Sequence, residues 1–181
     1  MSSKSKMDFP NYIGGSVHVE GDYSIVYSTP SHAEYIAKYM RIEDVRECVI
    51  HGFTPWRALN LPLTYHQCEN YTLLYKDTPL MMGGIVENYD VVDIRMGTIW
   101  MLGTYDIRKH IKPFMKISKP MIEYLMLAYD AVENVVPLDH MRTISYLARL
   151  GFVFSDEPII VNGFPCVRFV RCANGIEVSF E

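Results

Sequence analysis

Hydrophobic and polar positions along the chain alternate at two periods, and the periods change at identifiable residues. "YSIVYST" (Tyr23–Thr29) alternates with period two and predicts a strand. "PSHAEYIAKYM" follows with Ala33, Ile36, Ala37 and Met40 on one helical face. Ser31 is placed there as the cap, and Glu34 completes a capping box. "IEDVRECVIHG" predicts a second helix with Val45, Cys48 and Val49 inward and a stop at Gly52. "FTPWRALNLPLTYHQCE" reads as a loop anchored by Trp56. "YTLLYKDTPLMMGGIVENY" predicts two strands around a turn at Asp77–Pro79, with Gly83-Gly84 a candidate bulge.

The apolar "GTIWMLGT" (Gly97–Thr104) suits the centre of a sheet, with Trp100 and Leu102 buried. From Ile107 to Ala131 the pattern is helical, and Pro113 and Pro120 are expected to divide it into a short and a longer helix. In the longer one Ile122, Leu125, Met126 and Tyr129 share a face. "ENVVPL" predicts a fifth strand. "HMRTISYLARLGF" is then a helix with Met141, Ile144, Leu147 and Ala148 inward, closed by Gly151 and Phe152. "FVFS", "PCVRFVRC" and "IEVSF" supply the closing strands. These elements predict a mixed α/β fold with a central, twisted, mostly antiparallel sheet flanked by helices. Residues 1–22 are read as an N-terminal arm and residues 23–181 as one domain.

Composition narrows the function classes. A net charge of −4 gives no broad nucleic-acid footprint, and no specific nucleic-acid partner is predicted. The local cluster Arg108, Lys109, His110, Lys112, Lys116 and Lys119 reads first as a solvated helix face and second as an anion site. Cys48, Cys68, Cys166 and Cys172 form no C-x-x-C pair and read as reduced thiols. His18, His32, His51 and His66 are scattered, so no metal is expected. "MSSKSKMDFP" lacks an apolar signal core and no run is long enough to span a bilayer, so no membrane span is expected.

The element order and the helix–"LGF"–strand junction resemble the Gcn5-related N-acetyltransferase (GNAT) superfamily. Within it, "PLMMGGIVENYD", "IWMLGT", the Lys/Arg-rich helix and "SYLARLGFVF" are similar to a GNAT-like family of short-tailed bacteriophages. The first reading is therefore a virion-associated protein, internal or structural, with a degenerate cofactor cleft. It would sit in the virion and the host cytoplasm, with other virion proteins or further copies of itself as partners, and no cofactor. The alternative is an acetyl-CoA-dependent N-acyltransferase with a divergent pyrophosphate loop.

The resemblance also implies where chemistry would sit. After the fourth strand such proteins carry a Gly-rich loop whose free N–H groups hold the coenzyme A pyrophosphate. Here the stretch is "GTYDIRKHIKPFMKISKP", with no glycine after Gly103 and with Asp106 at the phosphate position. Backbone groups of Leu102, Gly103 and Thr104 would polarise a thioester carbonyl, and Arg108 and Lys109 would offer charge. The family's thiolate-protonating tyrosine maps to Leu147. Tyr146 is one residue away, about 100° round the helix, and reads as packing before acid. Glu87, Asp90, Asp93 and Glu133 are base candidates by position, with His140 a possible relay. The two strands flanking the cleft are expected to part after Gly103 and Val136.

Overall fold

The computed structural model describes residues 16–88 and 94–173. A strand, β1 (Ser16–Glu20), pairs antiparallel with β2 (Tyr23–Tyr27), so the sheet starts inside the segment expected to be an arm. Helix α1 (Pro30–Tyr39) is capped by Thr29, whose Oγ1 accepts from the His32 N–H at 3.3 Å, and not by Ser31. Pro30 explains the shift, because its ring presets the first helical φ and its missing N–H is one the first turn does not use. Helix α2 (Ile42–Ile50) has no side-chain cap, but Glu43 and Asp44 face the positive end of its dipole. Cys48 and Ile50 are buried, whereas Val49 points to solvent. The stretch expected as loop contains α3 (Pro55–Asn60), capped by Thr54 and opened by Pro55, and Trp56 is 60% exposed instead of anchoring it.

The hairpin of β3 (Cys68–Tyr75) and β4 (Thr78–Asn88) turns on Lys76 and Asp77, both left-handed with φ of 45° and 66°. Its irregular register lies at Leu73/Leu74, and Gly83-Gly84 runs in regular ladder, which corrects the bulge expectation. Glycine is required at Gly84 for another reason: a Cβ there would lie 2.2 Å from the Glu69 carbonyl oxygen. β5 (Met96–Gly103) leads through a 3-10 turn (Tyr105–His110) into α4 (Ile111–Ala128). That helix is continuous. Pro113 falls in its first turn, where no N–H is needed, and Pro120 is exposed, where water can serve the carbonyl one turn back.

β6 (Ala131–Pro137), α5 (Met141–Arg149), β7 (Val153–Phe154), β8 (Ile159–Val161) and β9 (Phe164–Cys172) complete the described chain. The expected last strand, "IEVSF", lies outside the described residues. Gly151 closes α5 at φ 84°, and Phe152 is buried edge-on against Phe169 with ring centroids 5.3 Å apart. The inward face of α5 is Leu147 with Ile144 half-buried. Met141 and Ala148 point outward and Leu150 takes their place.

The strand order is β1-β2-β3-β4-β5-β6-β9-β7, with β8 added to β9, and every pairing is antiparallel except β5–β6. β5 is central, with Leu102 buried and Trp100 half-buried. One face of the sheet carries α4 and α5 over Ile85, Val132, Val136 and Phe169. The other carries α1, α2 and α3 over Met82 and Leu102. The result is a three-layer α/β fold.

Candidate functional site

The parallel pair β5–β6 is short. It holds at Met96↔Ala131, Gly97↔Val132 and Thr98↔Glu133, and then the strands part. The expected divergence after Gly103 and Val136 is corrected to this earlier point. Asn134 marks it: its Nδ2 donates to the Ile99 carbonyl at 2.6 Å, and its Oδ1 accepts from the Val135 N–H at 2.7 Å. A side chain thus takes up the first carbonyl that the ladder releases. Beyond it a cleft of about 190 Å³ opens between the layers. Its lining is apolar apart from Arg41, Glu47, Tyr71, Ser118, Asn134, Thr143, Tyr146 and the Trp100 indole. The Trp100 Nε1 is buried without a hydrogen-bond partner.

Helix α2 brings charge to this cleft. Asp44 is fully buried. One of its carboxylate oxygens accepts the Gly103 N–H at 2.6 Å and faces Arg41 Nε at 2.8 Å. Glu47, one turn on, lines the cleft with its side chain 21% exposed and stands 3.7 Å from His140 Nδ1. Burial, and then the Asp44 charge, push the Glu47 carboxyl up to about 7 against the opposing pull of Arg41. Burial and Arg41 lower the His140 pKa, so the imidazole beside Glu47 is held neutral. An acid that titrates near neutral pH, next to an apolar cleft, is equipped to exchange a proton there.

The residues singled out from the sequence are dispersed. Tyr146 lies on the wall of the cleft, ring to ring with Phe114 at 5.3 Å and with its hydroxyl interacting with Ser118. Burial raises its phenol to about 12. That is well above a thiol's value of about 8.5, so Tyr146 can donate a hydrogen bond to a thiolate but not a whole proton. Glu87 lies at the far end of β4, opposite Gly97, and pairs with Arg95 at 2.9 Å. Glu133 stands on the last rung before the strands part, held by Arg168 at 2.5 Å and 2.7 Å. Asp90 and Asp93 lie outside the described residues.

Around the end of β5 the groups expected to meet a cofactor already have partners. The Gly103 N–H is taken by Asp44 and the Gly103 carbonyl by the Arg41 N–H at 3.0 Å. The Thr104 N–H and hydroxyl both donate to the Leu80 carbonyl, at 2.8 Å and 3.1 Å. Leu102 pairs with Met82 in the ladder. Arg108 is paired with Glu43, and Lys109 with Asp106. The backbone groups of Gly103 and Thr104 and the side chains of Arg108 and Lys109 are therefore already engaged. Among the described residues no group of three or more His, Cys, Asp or Glu side chains could hold a metal ion.

Sequence reasoning passed over Arg41, Asp44, Glu47 and Asn134. One signal was available. Asp44 lies four residues before Cys48, on the inward stripe of α2, and an acid on an apolar face calls for a buried partner.

No family model and no curated protein matches the chain. Solved structures do. The ribosomal-protein-S5-alanine acetyltransferase of Vibrio fischeri superposes with a TM-score of 0.60 at 14% identity, over 89% of this chain and 98% of that one. The spermidine N-acetyltransferase of Vibrio cholerae, solved with CoA and spermine, gives 0.64 at 10% identity over 83% and 95%. The aminoglycoside N(6')acetyltransferase of Legionella pneumophila gives 0.61 at 13% identity over 85% and 94%. At these identities the likeness establishes a GNAT-like fold.

Proposed function

We propose that the protein is an N-acyltransferase that moves an acyl group from a thioester to an amine within the cleft between β5 and β6. The observation that carries this reading is Glu47, an acid raised to about 7 that lines a cleft opened by the parting of two parallel strands. The amine nitrogen attacks the thioester carbonyl, forming the C–N bond as the C–S bond breaks. The amine's proton passes to the Glu47 carboxylate, and the thiolate leaves under a hydrogen bond from Tyr146. The GNAT-like fold supports the reaction class by analogy. The acetyltransferases that share the fold make CoA thioesters the donors to try first, although residues 103–109 would grip the nucleotide end weakly.

The test is thiol release from acetyl-CoA across a panel of primary amines. Wild type releases thiol with at least one amine, and Glu47→Gln slows it by about 10²–10⁴-fold, the range for a positioned base. Equal rates in the two proteins would overturn the role of Glu47, and no turnover with any amine would overturn the reading itself.

A second reading keeps the virion role, with other virion proteins or self-assembly as partners and the virion and host cytoplasm as location. One observation counts against acyl transfer without itself pointing to a virion: Asp44, buried on the Gly103 amide, closes a donor near the cleft. The rest of that reading stands on sequence resemblance alone.

A further inference from the structure

The cleft changes character along its length. At the β6, α2 and α5 end it is polar, with Glu47, Asn134, Thr143 and Tyr146. From there it runs beneath α4 towards Ile25 of β2 and Leu73 of β3, between apolar side chains such as Met101 and Ile117. The strand order puts β2 four strands from β6, on the order of 19 Å at about 4.8 Å per strand. Protein interiors seldom leave such space, since they pack as densely as organic crystals. An apolar cavity of about 150 Å³ binds benzene, so the whole cleft of about 190 Å³, polar end included, has room for an acyl group of roughly six to eight carbons with its carbonyl counted.

Resting on the acyl-transfer reading, we infer that the acyl group carried by this protein is aliphatic, about six to eight carbons with its carbonyl counted, and that its chain lies in the apolar arm of the cleft under α4. The polar end then holds the thioester carbonyl beside Glu47, and the chain points away from the amine. Gly83, on β4, lines the passage, where a Cβ would come within 2.7 Å of the Trp100 carbonyl oxygen. At that one position, between Met81 and Ile85, the floor carries no side chain.

Calorimetric titration of the intact protein with acetyl-CoA, hexanoyl-CoA and sodium octanoate tests this. Each buried methylene is worth about fourfold, so hexanoyl-CoA is expected to bind at least tenfold more tightly than acetyl-CoA. Ile117→Trp, which fills the arm, brings that ratio towards one, and Met121→Trp serves the same purpose if the first variant does not fold. Equal affinity for the two thioesters in wild type would overturn the chain site and leave acyl transfer standing. Saturable octanoate binding without binding of either thioester would support the chain site and overturn acyl transfer. No saturable binding of any of the three would overturn both.

Discussion

Replacing Glu47 with glutamine should make the protein more stable above neutral pH, and the size of the gain follows from the site. Burial raises the carboxyl from 4.5 to about 7. Between those values the folded chain holds a proton that the unfolded chain has released, so stability falls as pH rises through that window. At 1.36 kcal/mol per pH unit the loss is about 3 kcal/mol once Glu47 is fully ionised. His140 works in the opposite sense: its pKa is lowered, so its contribution is lost as pH falls below about 6.5. Arg41, Glu43, Asp44 and Asp139 stand around the same pair and are common to both proteins, so comparison of wild type with Glu47→Gln largely cancels their direct contributions. Urea unfolding at pH 5 and pH 8 is the assay. The two proteins should differ by less than about 1 kcal/mol at pH 5, and the glutamine variant should be more stable by about 3 kcal/mol at pH 8. An offset of the same size at both pH values would mean that packing, not ionisation of Glu47, separates them.

Three further outcomes follow from the packing. Asp44→Ala leaves the Gly103 N–H and the Arg41 guanidinium without their shared partner, and urea melts should show a loss of about 3–5 kcal/mol. Phe152→Ala empties a buried position against Phe169 and should cost about 3–5 kcal/mol in the same assay. Gly151→Ala forces a Cβ onto a φ of 84° and should cost about 1–2 kcal/mol, measurable as a lower denaturation midpoint.

The sequence made the sheet's centre and its closing helix legible because their signals are local. The alternating runs of β3 and β4 flank a short polar turn, "GTIWMLGT" is apolar throughout, and Gly151-Phe152 ends α5 in the conformation that glycine alone adopts easily. Helix α3 was missed although "TPWRA" repeats the Thr-Pro start of "TPSHA". In both cases the threonine caps and the proline opens the helix. The face of α5 was misjudged because a nine-residue helix gives the period little length to fix its phase, and Met141 and Leu150 lie at opposite ends of it.

The site was less readable than the fold. The parting of β5 from β6 is a matter of register between strands that α4 separates in the chain, and no local pattern encodes it. Glu47 resembles any surface acid until α2 is seen lying against the cleft. Arg108 and Lys109 look available as cations until Glu43 and Asp106 are placed beside them.

The measurement closest to the central claim is calorimetric titration of the purified protein with acetyl-CoA, repeated with S-acetylpantetheine, which carries the same thioester without the nucleotide. Saturable binding of both is expected, with affinities within about tenfold of each other, because the groups of Gly103, Thr104, Arg108 and Lys109 are already engaged. Absence of heat from either ligand at millimolar concentration would contradict the claim that this cleft receives an acyl thioester.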